Sequence, residues 1–400
     1  MPTKYTLRLL LLTFFALAAA CSDSTQATGA GGSGATSGTG GTGATGAAGG
    51  TDAGIDNSGK VLVYVVNTGE ETLSVIDHEA REVSTLELGA IAHGQIPSST
   101  GDRLYVCTED TGEVIAIDPR TQEILWRIVG VEGRLDQLHQ PSLIDDRWLF
   151  APDTFAERTV VVDVENARLD DIISMVDDTD PENPVPYEGL HNSYPSASGE
   201  FVYVEGILSS RVAKVDAETR EIVRHYVLDG FPRPIAIMDD ESRMFVQSTF
   251  TEGFLVIDLE TGEEVERIEF GNEPTAVWEE TLTILKPMSH GIGLTPDESE
   301  LWATSTMADE WRVFSIPDLE LLAVIPIPEG NAPNWIDFTP DGNFAYVSNT
   351  TFVPDPNVSN TPREDVPGTV TLIDTNTYEV VQTFEVGPLP KRVHILQVPE

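Results

Sequence analysis

Self-similar segments fill the chain from Lys60 to its end, and this repetition constrains the fold more than any other feature. The segments LYVCTEDTGEVIAIDPRTQEILWRIVG and VYVEGILSSRVAKVDAETREIVRHYVLDG share one plan. An apolar strand pattern leads to a loop, a strand pattern ending in aspartate, a threonine-rich turn and a further strand pattern. The aspartates recur roughly 40 to 60 residues apart, the length of a four-stranded propeller blade. The aspartates are Asp77, Asp118, Asp163, Asp216, Asp258, Asp318 and Asp374. The sequence therefore predicts an all-β fold, a seven-bladed β-propeller.

The aspartates themselves are expected to be structural. Each opens a turn such as DPRTQE or DAETRE. An aspartate there can accept a hydrogen bond from the backbone two residues further on. This role explains the series without a catalytic or calcium site.

The two ends of the repeat region complement each other. The first unit begins directly with KVLVYVVN and lacks the leading strand of the other units, whereas the last unit is followed by the extra strand pattern PKRVHILQV. The C-terminal strand is therefore expected to complete the first blade. Such closure pairs strand edges that would otherwise invite aggregation.

Several of these segments resemble a known repeat. VYVVNTGEETLSVID, AYVSNTT and GTVTLIDTNTYEVVQTFEVG are similar to the YVTN-type β-propeller repeat of bacterial and archaeal exported proteins, and the resemblance covers nearly everything from Lys60 onward. It implies the propeller fold. It implies no single function, because the repeat occurs in binding proteins, surface proteins and enzymes.

The N-terminal part indicates export. Residues 1–20 have basic Lys4 and Arg8 before an apolar run that ends in small residues, which is typical of a signal peptide. ALAAAC resembles a bacterial lipobox, which implies cleavage before Cys21 and a lipid on its thiol. Residues 21–59 form a glycine-, serine- and threonine-rich tether, and residues 60–400 form the propeller. We therefore expect a lipid-anchored protein of the bacterial cell envelope that faces the periplasm or the exterior.

Charge and cysteine content argue against nucleic-acid binding and against an internal disulfide. The formal net charge is −43, and loss of the signal peptide makes it about −45. Such a charge argues against nucleic-acid binding. Apart from Cys21 the chain contains only Cys107, so an internal disulfide is not expected.

Histidines recur at one position of the repeat. Aligning units on Leu104, Val202 and Leu301 places a histidine at the first residue of the innermost strand in each unit, and His139 joins them if its following turn is two residues shorter. Innermost strands line the channel of a propeller, so equivalent positions form a ring. The predicted ring is Lys391, His93, His139, His191, Arg233, His290 and Asn334.

Two interpretations of this ring stay open. Converging neutral imidazoles can bind copper, iron or zinc, so His93, His139, His191 and His290 are candidate metal ligands. Histidine-bound copper in nitrous oxide reductase and four-histidine iron in carotenoid-cleaving oxygenases are similar only in architecture. Alternatively, the histidines hydrogen-bond carbonyls of the incoming loops and are structural. His-Gly pairs at His93 and His290 suit that role, but Gln140 and Asn192 follow the other two histidines.

Cations and long loops predict ligand binding at the end of the channel where the ring of histidines lies. Arg233 and Lys391 favour a ligand with a carboxylate or phosphate, although pairing with nearby acidic residues explains them equally well. The long connections 177–189, 272–289 and 352–368 belong to this face of the propeller. Asn334, Trp335 and Trp278 are further candidate ligand-binding residues, and Tyr187 can add to an apolar wall.

These observations give two function hypotheses. The first is a membrane-anchored propeller that binds a small molecule or a protein partner on its loop-bearing face. The second is a metal- or cofactor-dependent enzyme, oxidoreductase or lyase-like, with the four histidines as ligands and Arg233 and Lys391 orienting an anionic substrate. Metal content of the purified domain distinguishes the two.

Overall fold

Strands dominate the described part of the chain. The computed structural model describes residues 55–129, 137–249, 251–271, 289–328, 331–351 and 366–400. Within these ranges the strands form seven four-stranded antiparallel sheets arranged in a ring, a seven-bladed β-propeller. The predicted fold class is confirmed.

The strands are assigned to the blades as follows. Blade 1 holds β1 (Val61–Asn67), β2 (Thr72–Asp77) and β3 (Val83–Glu87), and blade 2 holds β4 (Ala92–Pro97), β5 (Leu104–Thr108), β6 (Glu113–Asp118) and β7 (Glu123–Val129). Blade 3 holds β8 (Ser142–Ile144), β9 (Trp148–Asp153), β10 (Arg158–Asp163) and β11 (Arg168–Ser174). The short β12 (Val176–Asp177) and β13 (Val185–Pro186) pair with each other before blade 4.

Blade 4 holds β14 (Leu190–Pro195), β15 (Phe201–Gly206), β16 (Arg211–Asp216) and β17 (Ile222–Val227). Blade 5 holds β18 (Pro232–Ile237), β19 (Arg243–Ser248), β20 (Gly253–Asp258) and β21 (Glu264–Glu269). Blade 6 holds β22 (Ile292–Leu294), β23 (Glu300–Ser305), β24 (Glu310–Ser315) and β25 (Leu321–Pro326). Blade 7 holds β26 (Asn331–Phe338), β27 (Phe344–Thr351), β28 (Pro367–Asp374) and β29 (Glu379–Pro388). The last strand, β30 (Pro390–Gln397), belongs to blade 1.

The ring is closed by the C-terminal strand, as the sequence predicts. β30 lies antiparallel beside β1 as the innermost strand of blade 1, with Val61 opposite Gln397 and Val65 opposite Val393. The side chains of Val393 and Leu396 are buried, so closure also adds apolar contacts.

The core lies between the blades. Middle strands such as β1 and β5 are apolar on both faces because each blade is covered by a neighbour on either side. Outer strands such as β7 alternate between exposed and half-buried residues. Among the described residues the apolar side chains form seven clusters, one at each junction between adjacent blades. Cys107 is a buried free thiol in the cluster between blades 2 and 3.

The aspartate turns have the predicted geometry, with one correction. Asp216 Oδ1 accepts the backbone N–H of Glu218 at 3.0 Å, and Asp374 Oδ1 accepts that of Asn376 at 2.9 Å. In blade 6 the expected strand-ending residue Asp318 is wrong by three positions. β24 ends at Ser315, whose hydroxyl accepts the N–H of Glu320, five residues further on, at 3.1 Å. Asp318 instead lies within the turn that follows the strand.

Among the residues that the structure describes, none forms a helix of the length and apolar character that crossing a bilayer requires. The predicted signal peptide, Cys21 and nearly all of the tether lie outside the described residues.

Candidate functional site

Bulges at the start of the inner strands position the predicted ring residues. The ladder skips at Ala92/Gly94, Pro232/Ile235 and Pro333/Trp335, so His93, Arg233 and Asn334 each lie in a bulge. The same irregularity includes His191 in blade 4 and Lys391 with Arg392 in β30. A bulge frees residues from the ladder and redirects their side chains. His139 and His290 come shortly before β8 and β22.

Three of the four histidines form a compact cluster. The rings of His93 and His139 stack with centroids 3.7 Å apart and planes 3° apart. The ring of His191 stands edge-on to both, at 4.6 Å from His139 and 5.4 Å from His93. His290 is more distant, with its centroid 6.4 Å from that of His191. All four side chains are buried, with at most 5% of their surface exposed.

Glycines after two of the histidines allow this approach. A Cβ on Gly94 would lie 2.6 Å from the carbonyl oxygen of His139, and a Cβ on Gly291 would lie 2.7 Å from that of Asn334. Only glycine lets these backbones come so close. The His-Gly pairs therefore have a packing reason, and it also brings the imidazoles of neighbouring blades together.

Oxygen acceptors orient the imidazoles. Nδ1 of His93 contacts Oε2 of Glu109, and Nδ1 of His290 lies 3.2 Å from the backbone oxygen of Asn334. In both rings Nδ1 is the protonated nitrogen, because only an N–H can donate to these oxygens. Nε2 of each ring is buried and has no hydrogen-bond partner among the described residues. The same is true of Nδ1 of His139.

Burial keeps these histidines neutral. It holds the pKa of His93, His139, His191 and His290 well below the usual value, and nearby positive charges add to the effect. Neutral imidazole is the form that binds metal ions.

Three cations lie around the histidines. Burial is the main cause that lowers the pKa of Lys391 to about 8 and those of Arg233 and Arg392 to about 10, and neighbouring cations contribute at Lys391 and Arg233. Arg392 is fully buried, stacks over the ring of Trp335 at 3.9 Å, and approaches His191 Nδ1 to 3.5 Å. Its Nε and Nη1 atoms have no hydrogen-bond partner within the described part of the chain. We call these three cations and the four histidines the axial site.

Two carboxyl groups border the axial site. Glu109 follows β5 and contacts His93, and Glu205 at the end of β15 lies 3.4 Å from Nδ1 of His191. Asn192 joins this network by donating to Glu205 and accepting from Arg392. Burial raises the pKa of Glu205 well above its usual value, against the opposing effect of Arg392 and Arg233. Glu205 in turn raises the pKa values of Arg233 and Arg392.

The remaining predicted residues have different positions. Trp335 is buried in the cluster between blades 7 and 1 and supports Arg392 instead of forming an exposed wall. Tyr187 is fully buried, and its hydroxyl bonds His225 at 2.8 Å. Asn334 contributes its backbone oxygen to His290. Trp278 and most of the loops 272–289 and 352–368 lie outside the described residues.

Sequence reasoning missed Arg392, Glu205 and Glu109. Strand alternation points Arg392 away from the channel if Lys391 points towards it, and only the bulge in β30 lets both contribute. The glutamates are hidden among 66 acidic residues. Their shared position, at or just after the end of the second strand in a blade that carries a ring histidine, is the signal that could have found them.

Comparisons with known proteins identify the fold and the family. Among solved structures, the dihydro-heme d1 dehydrogenase NirN in complex with DHE is similar with a TM-score of 0.55 and 15% identity over 85% of this chain and 76% of that chain. Two proteins provisionally described as 6-phosphogluconolactonases are also similar. The one from Bacteroides fragilis NCTC 9343 has a TM-score of 0.59 and 14% identity, over 84% of this chain and 98% of that one. The one from Bacteroides uniformis ATCC 8492 has a TM-score of 0.61 and 14% identity, over 85% of this chain and 100% of that one.

These structures share the fold, and their low identity supports nothing beyond it. No curated protein matches the sequence. A sequence profile described as YNCE-like beta-propeller matches residues 80–284, more than half of the chain. The YVTN-type repeat is related to this family. The chain therefore belongs to the YNCE-like β-propeller family.

Proposed function

We propose that this protein is a lipid-anchored propeller of the bacterial cell envelope that binds a small anionic ligand at the axial site. The ligand carries a carboxylate or a phosphate group. One observation carries the proposal, the convergence of Arg233, Lys391 and Arg392 in a chain whose net charge is −43.

The charges of the axial site favour the binding of an anionic ligand. Buried cations are costly unless they are paired, and mutual repulsion adds to that cost. Three cations, Arg233, Lys391 and Arg392, lie at the site together with two carboxyl groups, Glu109 and Glu205. An anionic group bound there would add to the neutralisation of the three cations. The N–H groups of Arg392 that lack protein partners can donate to it.

The position of the axial site favours a small ligand over a folded partner. The axial site lies at the inner ends of the blades, so a folded partner could not reach the buried Arg392. The acidic remainder of the chain repels nucleic acid. The lipobox-like sequence before Cys21 supports anchoring in the cell envelope.

A metal-dependent enzyme is the second candidate, and the histidine cluster favours it. In that case Arg233 and Lys391 would orient an anionic substrate beside a metal. The structural neighbours do not favour one reaction, because a dehydrogenase and proteins described as lactonases differ in chemistry.

Isothermal titration of the metal-free full chain with inorganic phosphate and with oxalate tests the proposal. We expect one binding site per chain, with affinity at least tenfold weaker in Lys391→Met. Lys60→Met is the matched control, because Lys60 pairs with Asp77 on the surface and should not matter. If neither anion binds, or if Lys391→Met binds as tightly as the wild type, the proposal is wrong.

A further inference from the structure

We infer that His93, His139 and His191 form a binding site for one zinc or copper ion. This inference goes beyond the anion-binding function and does not depend on it. One candidate ligand atom from each of the three rings lies within 4.8 Å of the others. The residues come from three successive blades, so the folded ring, rather than a local motif, brings them together.

Unsatisfied nitrogens point to a missing ligand. Nε2 of His93 and Nδ1 of His139 are buried and have no partner among the described residues, although the two rings are stacked face to face. Buried polar atoms in folded proteins nearly always have a partner, and for a neutral imidazole nitrogen a metal ion can be that partner. A metal ion that accepts both lone pairs would satisfy the two rings at once, after they turn out of their parallel stack.

The surroundings of the cluster resemble those of histidine ligands in metal proteins. Histidine ligands usually donate their other ring N–H to a carboxylate or a backbone carbonyl, which fixes the tautomer. Glu109 accepts from Nδ1 of His93, and Glu205 lies beside Nδ1 of His191. Each carboxyl group faces the histidine of its own blade, and at His191 the guanidinium of Arg392 also approaches Nδ1, to 3.5 Å.

The donor set selects the metal. Three imidazoles suit zinc and copper, whereas magnesium and calcium require oxygen ligands. Nitrogens bound tetrahedrally at about 2.1 Å from one ion lie roughly 3.4 Å apart, so the rings must rotate towards one another on binding. His290 is less close, and we assign it no direct role in holding the ion.

The neighbouring cations repel a metal ion, and an anion can offset this repulsion because a metal with three neutral ligands keeps an open position for it. An anion at that position would contact the metal and the side chains of Arg233, Lys391 and Arg392. The ion and the cations would then share one negative partner, which favours a bound anion without requiring it for metal uptake.

Metal analysis tests the inference on the full chain, prepared without a polyhistidine tag and with Cys21→Ser in every sample to remove a competing thiol. The protein is stripped with chelator, equilibrated with Zn²⁺ or Cu²⁺ and freed of unbound ion. We expect one ion per chain in the otherwise wild-type protein, and no retention of Mg²⁺ or Ca²⁺. In the double variant H93Q/H139Q the affinity should fall at least 100-fold.

The double variant H78Q/H225Q is the matched control. These two half-buried histidines bond the hydroxyl groups of Tyr346 and Tyr187 and lie outside the cluster, so uptake should stay unchanged. Electron paramagnetic resonance of the Cu²⁺ form should show splitting from three nitrogens, which would be lost in H93Q/H139Q. Circular dichroism confirms that each variant is folded.

Folded wild-type protein that retains neither ion would overturn the inference, as would equal uptake by H93Q/H139Q. Either result can be distinguished from a failure of the proposed anion binding. The anion titrations use metal-free protein, so phosphate binding without metal uptake leaves the anion site intact, and the reverse result leaves only the metal site.

Discussion

Gly94 and His139 touch across the junction of blades 2 and 3, where a Cβ on Gly94 would lie 2.6 Å from the carbonyl oxygen of His139. The obstacle is backbone, which cannot rotate aside as the end of a side chain can. This contact sets the spacing of the two inner strands, and the stacking of His93 on His139 follows from it.

We expect Gly94→Ala to destabilise the protein by about 2 kcal/mol, because the added methyl group forces the two inner strands apart. The same shift should separate the stacked imidazoles and weaken metal uptake. Urea unfolding followed by tryptophan fluorescence measures the stability change. In the control, Gly293→Ala, the new Cβ meets the side chain of Ile336 at 2.8 Å and no backbone atom. If Gly293→Ala loses as much stability as Gly94→Ala, the contact with the backbone of His139 is not the cause of the destabilisation at Gly94.

The blade number and ring closure could be predicted because they depend on patterns within the sequence. A propeller repeats one strand order, so the aspartates mark the blades even in blade 6, where the strand ends at Ser315 and not at Asp318. The position of the histidines could be predicted for the same reason. Equivalent residues of successive blades meet at the axis whatever their neighbours are.

The contacts within the axial site could not be predicted, because bulges break the alternation on which sequence reasoning depends. Arg392 is the clearest case, since it lies beside Lys391 in the irregular part of β30 and is fully buried. Trp335 is another, because an indole that can stack on a ligand can equally stack under a guanidinium group. Such choices depend on distances between blades that a sequence does not contain.

Anion binding should weaken as the pH rises above neutrality. Burial lowers the pKa of Lys391 to about 8, so the ammonium is charged at pH 7 and largely neutral at pH 9. Arg233 and Arg392 stay charged over this range. Oxalate keeps its charge over this range, so its affinity measured by titration calorimetry should fall between pH 7 and pH 9 in the wild type. Lys391→Met should give a flatter profile. An equal fall in both proteins would assign the pH dependence to another group.

Removal of the closing strand should prevent folding. Without residues 390–400, β1 has an unpaired edge and the clusters beside blade 1 lose Val393, Ile395 and Leu396. We expect the truncated chain to aggregate and to show no cooperative thermal transition by circular dichroism. Removing only Pro399 and Glu400 is the control, because it takes away little more than their carbonyl contacts with Arg120. A cooperative transition in the longer truncation would mean that the ring tolerates an open blade.

Asp163 should make stability depend on acid pH. Burial alone would raise the pKa of its carboxyl group, but hydrogen bonds from Asn166 and Arg147 outweigh burial and hold the pKa well below the usual value. Arg168 also pairs with it, at 3.3 Å. Because the folded-state pKa is the lower one, the stabilisation is complete above about pH 5 and is lost as the pH falls through the unfolded and then the folded value.

Asp163→Asn should therefore lower the free energy of unfolding at pH 7 by more than at pH 3. Urea unfolding of both proteins at the two pH values measures this difference. The wild-type and variant curves should approach each other on acidification, since protonation removes from the wild type the same charge that the substitution removes. The matched comparison is Asp240→Asn, because this exposed carboxyl group is held by Ser242 and makes no ion pair among the described residues. A pH-independent difference at Asp163 would show that its turn hydrogen bonds, rather than its charge beside Arg147 and Arg168, stabilise blade 3.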